Sequence, residues 1–336
     1  MKILVDAMGG DNAPKAIVDG CVQALAEKKD ITIALIGDSK MIADCLSGQV
    51  YDKARLEIIH TTETITNNDQ PTKAISKKKD SSMVVGFNML KNREGDCFIS
   101  AGSSGALLIG SVTIVKRLKG VDRPVLGSIY PTKKGIALLV DSGLNLVCRS
   151  DYYLQFAQMG SAYMKSAFGI NHPSIGLVNV GTEEQKGNET LREANKLLRE
   201  SDLNYLGNIE GRDLFDGDVD VVVTDGFTGN VILKMLEGAS AYFFGNMKSI
   251  FMANVKSKLA ALMVKKGVAE FKRSLDSDVH GGAPILGVDG LVIKSHGSSK
   301  ARTIKYVVLK AASLVEANFL ADLKAEMDRR EKATKE

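Results

Sequence analysis

Residues 219–237 read VDVVVTDGFTGNVILKMLE, an apolar β-branched run that stops at a polar, glycine-containing loop before an apolar helical pattern. A buried strand of a parallel sheet is a continuous apolar run, because helices cover both of its faces. The polar loop then lies where the strand ends and the helix begins. This stretch therefore predicts a strand–loop–helix unit of an α/β fold.

The same succession occurs three more times along the chain. The strand and loop pairs are Ile3–Val5 with 6–14, Cys97–Ile99 with 100–105, and Ile175–Val180 with 181–188. Loops at the carboxyl ends of parallel strands, rich in backbone N–H groups and small hydroxyls, form a crevice suited to anions. The repetition predicts an enzyme whose ligand carries phosphate.

Composition bounds the class of protein. The chain has 336 residues, 44% of them hydrophobic and 25% charged, with a net charge of +4, which is ordinary globular composition. Trp is absent and aromatic residues make up only 6%, so base-stacking surfaces and nucleic-acid partners are not expected. The mild positive charge suits an acidic partner bound through a local basic patch.

The four cysteines are widely spaced and form neither a C-x-x-C pair nor a zinc pattern, so we expect reduced thiols in the cytoplasm. We expect no signal peptide, because the first strand begins within three residues and no apolar leader precedes it. No apolar run approaches the roughly 20 residues of a membrane span. The expectation is a soluble cytoplasmic protein.

Alternating strand and helix patterns extend along the chain without a linker long enough to separate independent domains, so residues 1–336 are predicted to form one catalytic domain of two lobes. We expect the lobes to share one continuous sheet and to enclose a central cleft. The predicted strands are Ile3–Val5, Ile31–Ile36, Leu56–His60, Cys97–Ile99, Gly127–Tyr130, Gly135–Val140, Ile175–Val180, Tyr205–Asn208, Val219–Thr224 and Gly290–Lys294. The predicted helices are Ala16–Lys28, Met41–Ser47, Pro71–Asn92, Ser104–Lys116, Tyr152–Phe168, Asn188–Glu200, a tract at about 228–266, and a last helix from about Lys300.

Each polar loop has a structural interpretation beside the functional one. Paired glycines after the first strand permit close approach of a ligand to the backbone, or simply a tight turn. The serines of 100–105 form an anion-binding nest, or cap the next helix. Lys186 can reach an anion in the crevice, or lie on the surface. Lys77 and its two lysine neighbours cannot all face one phosphate, because adjacent helical residues point in different directions. His296, between a strand and a helix, is a catalytic candidate, although a lone histidine is more often structural.

Several standard motifs are absent from the sequence. It has no G-x-G-x-x-G fingerprint at a strand–helix junction, no G-x-S-x-G elbow, and no acidic pair at magnesium spacing. These absences argue against a dinucleotide-binding dehydrogenase and an α/β-hydrolase, and no metal site is expected.

Taken together, the loops resemble the PlsX family, acyl-(acyl-carrier-protein):phosphate acyltransferases of bacterial phospholipid synthesis. The resemblance extends from Asp6 to about residue 315. Its motifs are Asp6-x-Met8-Gly9-Gly10-Asp11-x-x-Pro14, Lys77-Lys78-x-x-Ser81-Ser82-Met83, Arg123-Pro124, Gln155-Phe156-Ala157-x-Met159-Gly160, Glu184-x-Lys186-Gly187, Asp225-Gly226-Phe227-Thr228-Gly229-Asn230, Gly281-Gly282-Ala283 and His296-Gly297.

Three segments depart from the pattern usual in the family. Ser103-Ser104 replaces Asn-Thr, Ser142 and Leu144 change a D-V/L-G-A-N motif, and Ser76 replaces a basic residue. The phosphate ligands near 76 and 103 are therefore not fixed by the resemblance.

The resemblance implies an isopropylmalate-dehydrogenase-like fold, a three-layer α/β/α arrangement with a mixed sheet, in a homodimer. It implies that inorganic phosphate attacks the thioester of an acyl carrier protein, with no metal or organic cofactor. The implied catalytic residues are Lys186, Asn230 and His296. The implied substrate-binding residues are Asp6, Gly9, Gly10, Asp11, Lys77, Lys78, Ser82, Gly102, Ser104, Asp225, Thr228 and Gly229.

Three other functions remain open on the sequence alone. The nearest is a phosphate acetyl- or butyryltransferase that uses an acyl-coenzyme A. The second is a dehydrogenase of related fold, which the missing fingerprint disfavours. The third is a non-catalytic membrane-associated scaffold, which would leave the polar loops unexplained.

Residues 228–272 are predicted to form a helical dimerisation segment. Met247, Phe251, Val255 and Leu259 recur every four residues, which is typical of an apolar helix face. The apolar run 259–264 is bracketed by basic residues, Lys256, Lys258, Lys265, Lys266, Lys272 and Arg273. Such a pattern favours a protruding tip on an anionic membrane surface over burial in the dimer interface. At the membrane the product would pass to a membrane-embedded glycerol-phosphate acyltransferase. The protein would then be peripheral at the inner face of the cell membrane.

Overall fold

The first of two sheets has seven strands. The structure is a computed structural model that describes the backbone of residues 1–274 and 281–335 and the side chains of 1–268 and 281–329. The strands of this sheet are β1 (Lys2–Asp6), β2 (Thr32–Gly37), β3 (Leu56–His60), β4 (Cys97–Ser100), β5 (Val125–Leu126), β11 (Ala283–Leu286) and β12 (Leu291–Lys294), in the order β3-β2-β1-β4-β12-β11-β5. All neighbours are parallel except β11, which is antiparallel to β12 and β5.

The second sheet has five strands in the order β6-β7-β10-β8-β9. They are β6 (Ser128–Thr132), β7 (Gly135–Val140), β8 (Ile175–Val178), β9 (Tyr205–Ile209) and β10 (Val221–Val223). Only β6 and β7 pair in antiparallel fashion. The α/β class, the mixed sheets and ten of the predicted strands are therefore confirmed, with Leu56–His60 and Gly135–Val140 matching in full.

The helices of the described chain follow the predicted alternation. They are α1 (Lys15–Glu27), α2 (Ser39–Leu46), α3 (Pro71–Lys77), α4 (Ser82–Lys91), α5 (Ser104–Gly110), α6 (Ser150–Phe168), α7 (Glu189–Glu200), α8 (Gly226–Met252), α9 (Val255–Ser274), α10 (Ala301–Glu316) and α11 (Phe319–Lys335). A π-helical turn, Ser111–Val115, continues α5. No helix in the described ranges is both long and apolar enough to cross a membrane.

The core lies on both faces of the first sheet. Ile3 and Val5 of β1 belong to the cluster that includes α1 and α10, whereas Leu4 belongs to the cluster beneath α4. Successive strand residues point to opposite faces, so a strand covered on both sides must be apolar throughout. On the α4 side, the rings of Phe87 and Phe98 pack with their centroids 4.9 Å apart.

The prediction of one continuous sheet is wrong. Consecutive strands β5 and β6 join different sheets, because β5 pairs with β11 and β6 pairs with β7. Gly127 lies between them, and its N–H donates to the Pro284 carbonyl at 3.0 Å. The short strands β5 and β11 were not predicted, since two and four residues are too few to show a pattern.

The single predicted helix Pro71–Asn92 is also wrong. It is interrupted between α3 and α4, where the Ser81 hydroxyl accepts a hydrogen bond from the Val84 N–H and begins a new helix. The three lysines at 77–79 therefore lie at a helix end and in the turn that follows it, not inside one helix. An N-cap serine is a helix start signal that the apolar periodicity concealed.

The long tract after residue 226 is two helices rather than one. The Asn254 side chain accepts a hydrogen bond from the Ser257 N–H at 2.9 Å and caps α9. The predicted stripe is therefore divided, with Met247 and Phe251 on α8 and Val255 and Leu259 on α9. The side chains of Lys272 and Arg273, which we predicted to flank the apolar tip, lie outside the described residues.

Candidate functional site

A cavity of about 340 Å³ lies between the two sheets. From the first sheet it is lined by residues that follow β4 and β12, among them Gly102, Ser104 and His296. From the second sheet it is lined by Gly143 after β7 and by Asn230 at the start of α8. Four of the predicted site residues, Gly102, Ser104, Asn230 and His296, are thus brought together from two strand-end loops and the first turns of two helices.

A buried aspartate supports the first wall of this cavity. Asp6, only 2% exposed, accepts hydrogen bonds of 2.6 Å from the hydroxyls of Ser82 and Ser100. Ser100 in turn accepts a hydrogen bond from the Gly102 N–H at 3.0 Å. Burial raises the pKa of Asp6, and the bonds from Ser100 and Ser82 oppose that rise. Asp6 and Ser82 therefore lie behind the wall and hold the Gly102 loop in place.

The two glycines after β1 allow this close packing. A Cβ on Gly9 would lie 2.5 Å from an Asp6 carboxylate oxygen and 2.7 Å from the Gly102 nitrogen. Gly10 has a φ of 101°, which residues with side chains rarely adopt. The Asp11 N–H donates to the Gly297 carbonyl at 2.8 Å. The loop after β1 therefore braces the loops after β4 and β12, and Gly9, Gly10 and Asp11 do not line the cavity.

A second buried aspartate organises the opposite wall. Asp141, fully buried at the end of β7, accepts hydrogen bonds from the Asn145 N–H at 2.6 Å and the Asn145 side-chain amide at 2.8 Å. It also accepts from the N–H groups of Leu126 and Leu144, each at 3.1 Å. Burial raises the pKa of Asp141, and the bonds from Asn145 lower it in part. The carboxylate thereby fixes residues 142–144, which line the cavity.

The start of α8 is packed tightly against this second wall. Asp225 caps the helix, accepting hydrogen bonds from the N–H of Thr228 at 2.9 Å and its hydroxyl at 2.8 Å. A Cβ on Gly229 would lie 1.8 Å from the Asp141 carbonyl oxygen, so only glycine fits there. Asp225, Thr228 and Gly229 therefore position the first turn of α8, and it is Asn230 that reaches the cavity.

His296 is held through one ring nitrogen. Its Nδ1 accepts a hydrogen bond from the Ser298 N–H at 3.3 Å and lies 2.8 Å from the Ser298 hydroxyl. An Nδ1 that accepts from a backbone N–H leaves the proton of a neutral imidazole on Nε2. The ring is exposed on the cavity side and is a candidate hydrogen-bond donor to a bound oxyanion.

The three predicted lysines do not line this cavity. Lys186 follows β8, where its ammonium lies 3.9 Å from a Glu183 carboxylate oxygen and its side chain is 44% exposed. The Lys78 ammonium is 2.8 Å from both the Asp69 carboxylate and the Thr64 carbonyl. Lys77 is exposed at the end of α3.

Two lysines that we did not predict line the cavity instead. Lys294, the last residue of β12, is half-buried, and Lys234 on α8 forms an ion pair of 2.8 Å with Glu237. The pKa of Lys294 is lowered from its ordinary value, first by burial and then by the charge of Lys234. A lysine that ends an apolar strand immediately before the Ser295-His296 loop was the available sequence signal.

Comparison with known proteins places the chain among acyl-transferring enzymes. A family model described as fatty acid synthesis protein matches residues 1–322. A phosphate acyltransferase of Acetivibrio thermocellus is 55% identical over 326 residues, which cover 97% of this chain and 96% of that protein.

Solved structures of low sequence identity share the fold. A phosphotransacetylase from Streptococcus pyogenes has a TM-score of 0.62 at 16% identity and covers 94% of both chains. A branched-chain phosphotransacylase from Enterococcus faecalis has a TM-score of 0.59 at 13% identity, covering 94% of this chain and 99% of that one. At such identities the likeness shows the architecture alone.

Proposed function

Because the chain belongs to the PlsX family of phosphate acyltransferases, we propose that it makes acyl phosphate from a long-chain acyl-carrier-protein thioester and inorganic phosphate, in phospholipid synthesis. One observation carries the proposal. Polar side chains from both sheets, at Ser104, Asn230 and His296, converge on one cavity. Convergent donors of this kind suit a reaction in which an anion attacks a carbonyl and a second anion develops.

The proposed reaction needs positioning more than strong acids or bases. A phosphate oxygen forms a bond to the thioester carbonyl carbon, and the carbon–sulfur bond then breaks with its electron pair passing to sulfur. The proton lost from hydrogen phosphate balances the charge of the departing thiolate. Phosphate is already an anionic nucleophile near neutral pH, and a thiol with a pKa of about 8.5 leaves readily.

The side chains divide into two groups in this proposal. Asn230 and the Nε2 of His296 donate hydrogen bonds to the oxyanion that forms on the carbonyl, while the Gly102–Ser104 loop receives phosphate. Lys186 acts from the loop after β8, the strand next to β10. Its ammonium is only loosely paired with Glu183, so it is free to bind the donor when the cleft is filled.

We propose that the donor is recognised through basic side chains. Carrier proteins are acidic, so long-range attraction would speed association and would weaken as salt rises. Lys77 is exposed at the end of α3 and is one such candidate. A donor KM that stays constant between low and high ionic strength would contradict this recognition mode.

We propose that α8 and α9 serve the homodimer and the membrane. Along α8, large apolar side chains such as Met235, Tyr242 and Phe243 are more than half exposed in the single chain. A second copy covering them would form an obligate interface. At α9, Leu262 and Met263 are exposed beside exposed lysines, which suits a peripheral position on anionic lipid at the cytoplasmic side of the membrane. The acyl phosphate would there pass to a membrane-embedded glycerol-phosphate acyltransferase.

The choice of donor tests the proposed function against its nearest alternative. Purified protein is supplied with phosphate and with palmitoyl-carrier protein, palmitoyl-coenzyme A or acetyl-coenzyme A, and kcat/KM is measured for each. The proposal predicts a preference of at least about tenfold for the carrier-protein donor, roughly 1.4 kcal/mol of transition-state binding. A preference for a short acyl-coenzyme A would assign the phosphate acetyl- or butyryltransferase activity instead.

A further inference from the structure

Lys294 carries the least compensated charge of the cavity. No hydrogen bond or ion pair joins its ammonium to any side chain or carbonyl in residues 1–268 and 281–329, whereas Lys234, on the facing helix, is paired with Glu237. Withdrawing a cation partly from water without a partner costs free energy, and a ligand that supplies the missing charge would recover it. The cavity therefore contains a positive charge that a bound anion would neutralise.

The position of Lys294 fits an anion in the crevice rather than at its entrance. In the parallel pairing of β12 with β4, Lys294 stands opposite Ser100. The Ser100 hydroxyl accepts a hydrogen bond from the Gly102 N–H. Gly102 lies two residues before Ser104, which lines the cavity. The ammonium and the Gly102–Ser104 loop therefore lie on neighbouring strand ends of the same sheet edge. Such an edge, where strands end in loops with free N–H groups, is where anions bind in open α/β sheets.

The charges that face Lys294 come from the other lobe. Lys234 lowers the pKa of Lys294 and Glu237 raises it, so both act on it across the cavity. Lys234 is already neutralised by its ion pair of 2.8 Å with Glu237. One net positive charge thus remains at Lys294, with His296 at the same rim. A dianion is the ligand that such an arrangement attracts most strongly.

We propose that the Lys294 ammonium binds the inorganic phosphate that attacks the thioester. This inference rests on the proposed function and names the residue that holds its nucleophile. A charge-assisted hydrogen bond from Lys294, together with donors of the Gly102–Ser104 loop, holds phosphate on the first sheet. Asn230 and His296 are then left for the acyl carbonyl. The phosphodiester of the pantetheine arm has the same chemistry but belongs to the donor, so the two are separated by measuring phosphate without donor.

Thermal unfolding with inorganic phosphate as the probe tests the binding directly. A ligand that binds only the folded state raises the melting temperature as its concentration exceeds Kd. We expect phosphate, compared with chloride at equal ionic strength, to raise the melting temperature of the wild type. The shift should be lost in Lys294→Met. It should also be lost in Lys294→Gln, a second variant that keeps a polar side chain and replaces Lys294→Met if that protein folds poorly. In Lys91→Met, a replacement of an exposed lysine at the end of α4, the shift should persist.

Two further readouts separate this role from a structural one. Removing an uncompensated, partly buried charge should leave the ligand-free Lys294→Met protein as stable as the wild type, or more stable. In the enzyme assay the phosphate KM should rise at least tenfold, while the KM for the acyl donor stays within about twofold of the wild-type value.

A phosphate-dependent shift that Lys294→Met or Lys294→Gln retains at wild-type size would overturn the inference. A rise in the donor KM alone would assign Lys294 to the pantetheine phosphodiester instead. Failure of the proposed function would give a different result. Phosphate would still raise the melting temperature of the wild type and not of Lys294→Met, but the wild type would form no acyl phosphate.

Discussion

The Ser100 hydroxyl donates a hydrogen bond of 2.6 Å to the Asp6 carboxylate, and both residues are at most 2% exposed. The same hydroxyl oxygen accepts from the Gly102 N–H at 3.0 Å. The ends of β1 and β4 are thereby joined beneath the wall of the cavity. Asp141 does the same for the opposite wall through Asn145. Each wall is thus a loop whose backbone is fixed by one buried carboxylate.

Ser100→Ala should weaken both stability and turnover. The change leaves the buried Asp6 carboxylate one hydrogen bond short and frees the Gly102 N–H, a loss of about 1–3 kcal/mol in the free energy of unfolding. Urea denaturation measures that loss, and steady-state assays measure turnover. The control is Ser103→Ala, a buried serine whose side chain does not cap α5. If the two variants are equally stable, the hydrogen bond between Asp6 and Ser100 does not stabilise the Gly102 loop as we infer.

Lys186→Ala and Asn230→Ala should each lower turnover at least about tenfold, or roughly 1.4 kcal/mol of transition-state stabilisation. Asn230 lines the cavity, whereas Lys186 lies outside the lining, in the loop after β8. We therefore expect kcat to fall in Asn230→Ala, and both kcat and the donor KM to change in Lys186→Ala. Circular dichroism confirms that each variant is folded. Wild-type turnover in either folded variant would return that residue to a structural role.

Lys310 should make stability depend on pH above neutrality. Its ammonium donates to the Ala167 carbonyl at 3.0 Å and lies 3.7 Å from the Phe168 ring centroid. Burial lowers its pKa from 10.5 to about 8. Between these values the unfolded chain binds the proton that the folded chain has lost, so stability rises with pH across that window.

The comparison with Lys310→Met isolates this effect. Free energies of unfolding are measured for both proteins at about pH 7 and about pH 9.5. The free energy of unfolding of the wild type should rise by up to about 2 kcal/mol relative to that of the variant, at about 1.36 kcal/mol per pH unit above about pH 8. A constant difference between the two proteins would contradict the lowered pKa.

Leu262→Glu should release the protein from anionic vesicles. Leu262 is 67% exposed on α9, so the change adds a negative charge to the proposed membrane tip without disturbing the core. Flotation with phosphatidylglycerol liposomes measures association. Leu206→Glu, at a 56% exposed leucine of β9, is the matched control and should float like the wild type. If none of the three proteins floats, or all three float equally, α9 is not the membrane contact.

The strand–loop–helix units were predictable because burial on both faces makes a parallel strand apolar throughout. Residues 219–237 became β10, the Asp225 cap and α8 where the pattern placed them. The division into two sheets was not predictable, because it depends on which partner each of two short neighbouring strands selects. Hydrophobic pattern alone does not distinguish β5 pairing with β11 from β5 continuing into β6.

The candidate site was predictable at the level of loops, but less so for side chains. The loops after β1, β4 and β10 had been predicted from their small polar residues, whereas the loop at 141–145 had been noted only as part of the family resemblance. Packing decides whether a residue faces the cavity or supports it from behind. In the sequence Asp6 and Asp225 look like ligands, but Asp6 accepts a hydrogen bond from Ser100 behind the wall and Asp225 caps α8. Lys294 was not predicted because a lysine at the end of a strand is usually exposed to solvent.

The most direct test of the central claim is ³¹P NMR of the protein with palmitoyl-carrier protein and inorganic phosphate. The proposed reaction predicts an acyl-phosphate resonance that grows in step with free carrier-protein thiol, one for each thioester consumed. Thiol release with free fatty acid and no acyl phosphate, in a sample where acyl phosphate added as a standard survives, would contradict the account and indicate hydrolysis instead.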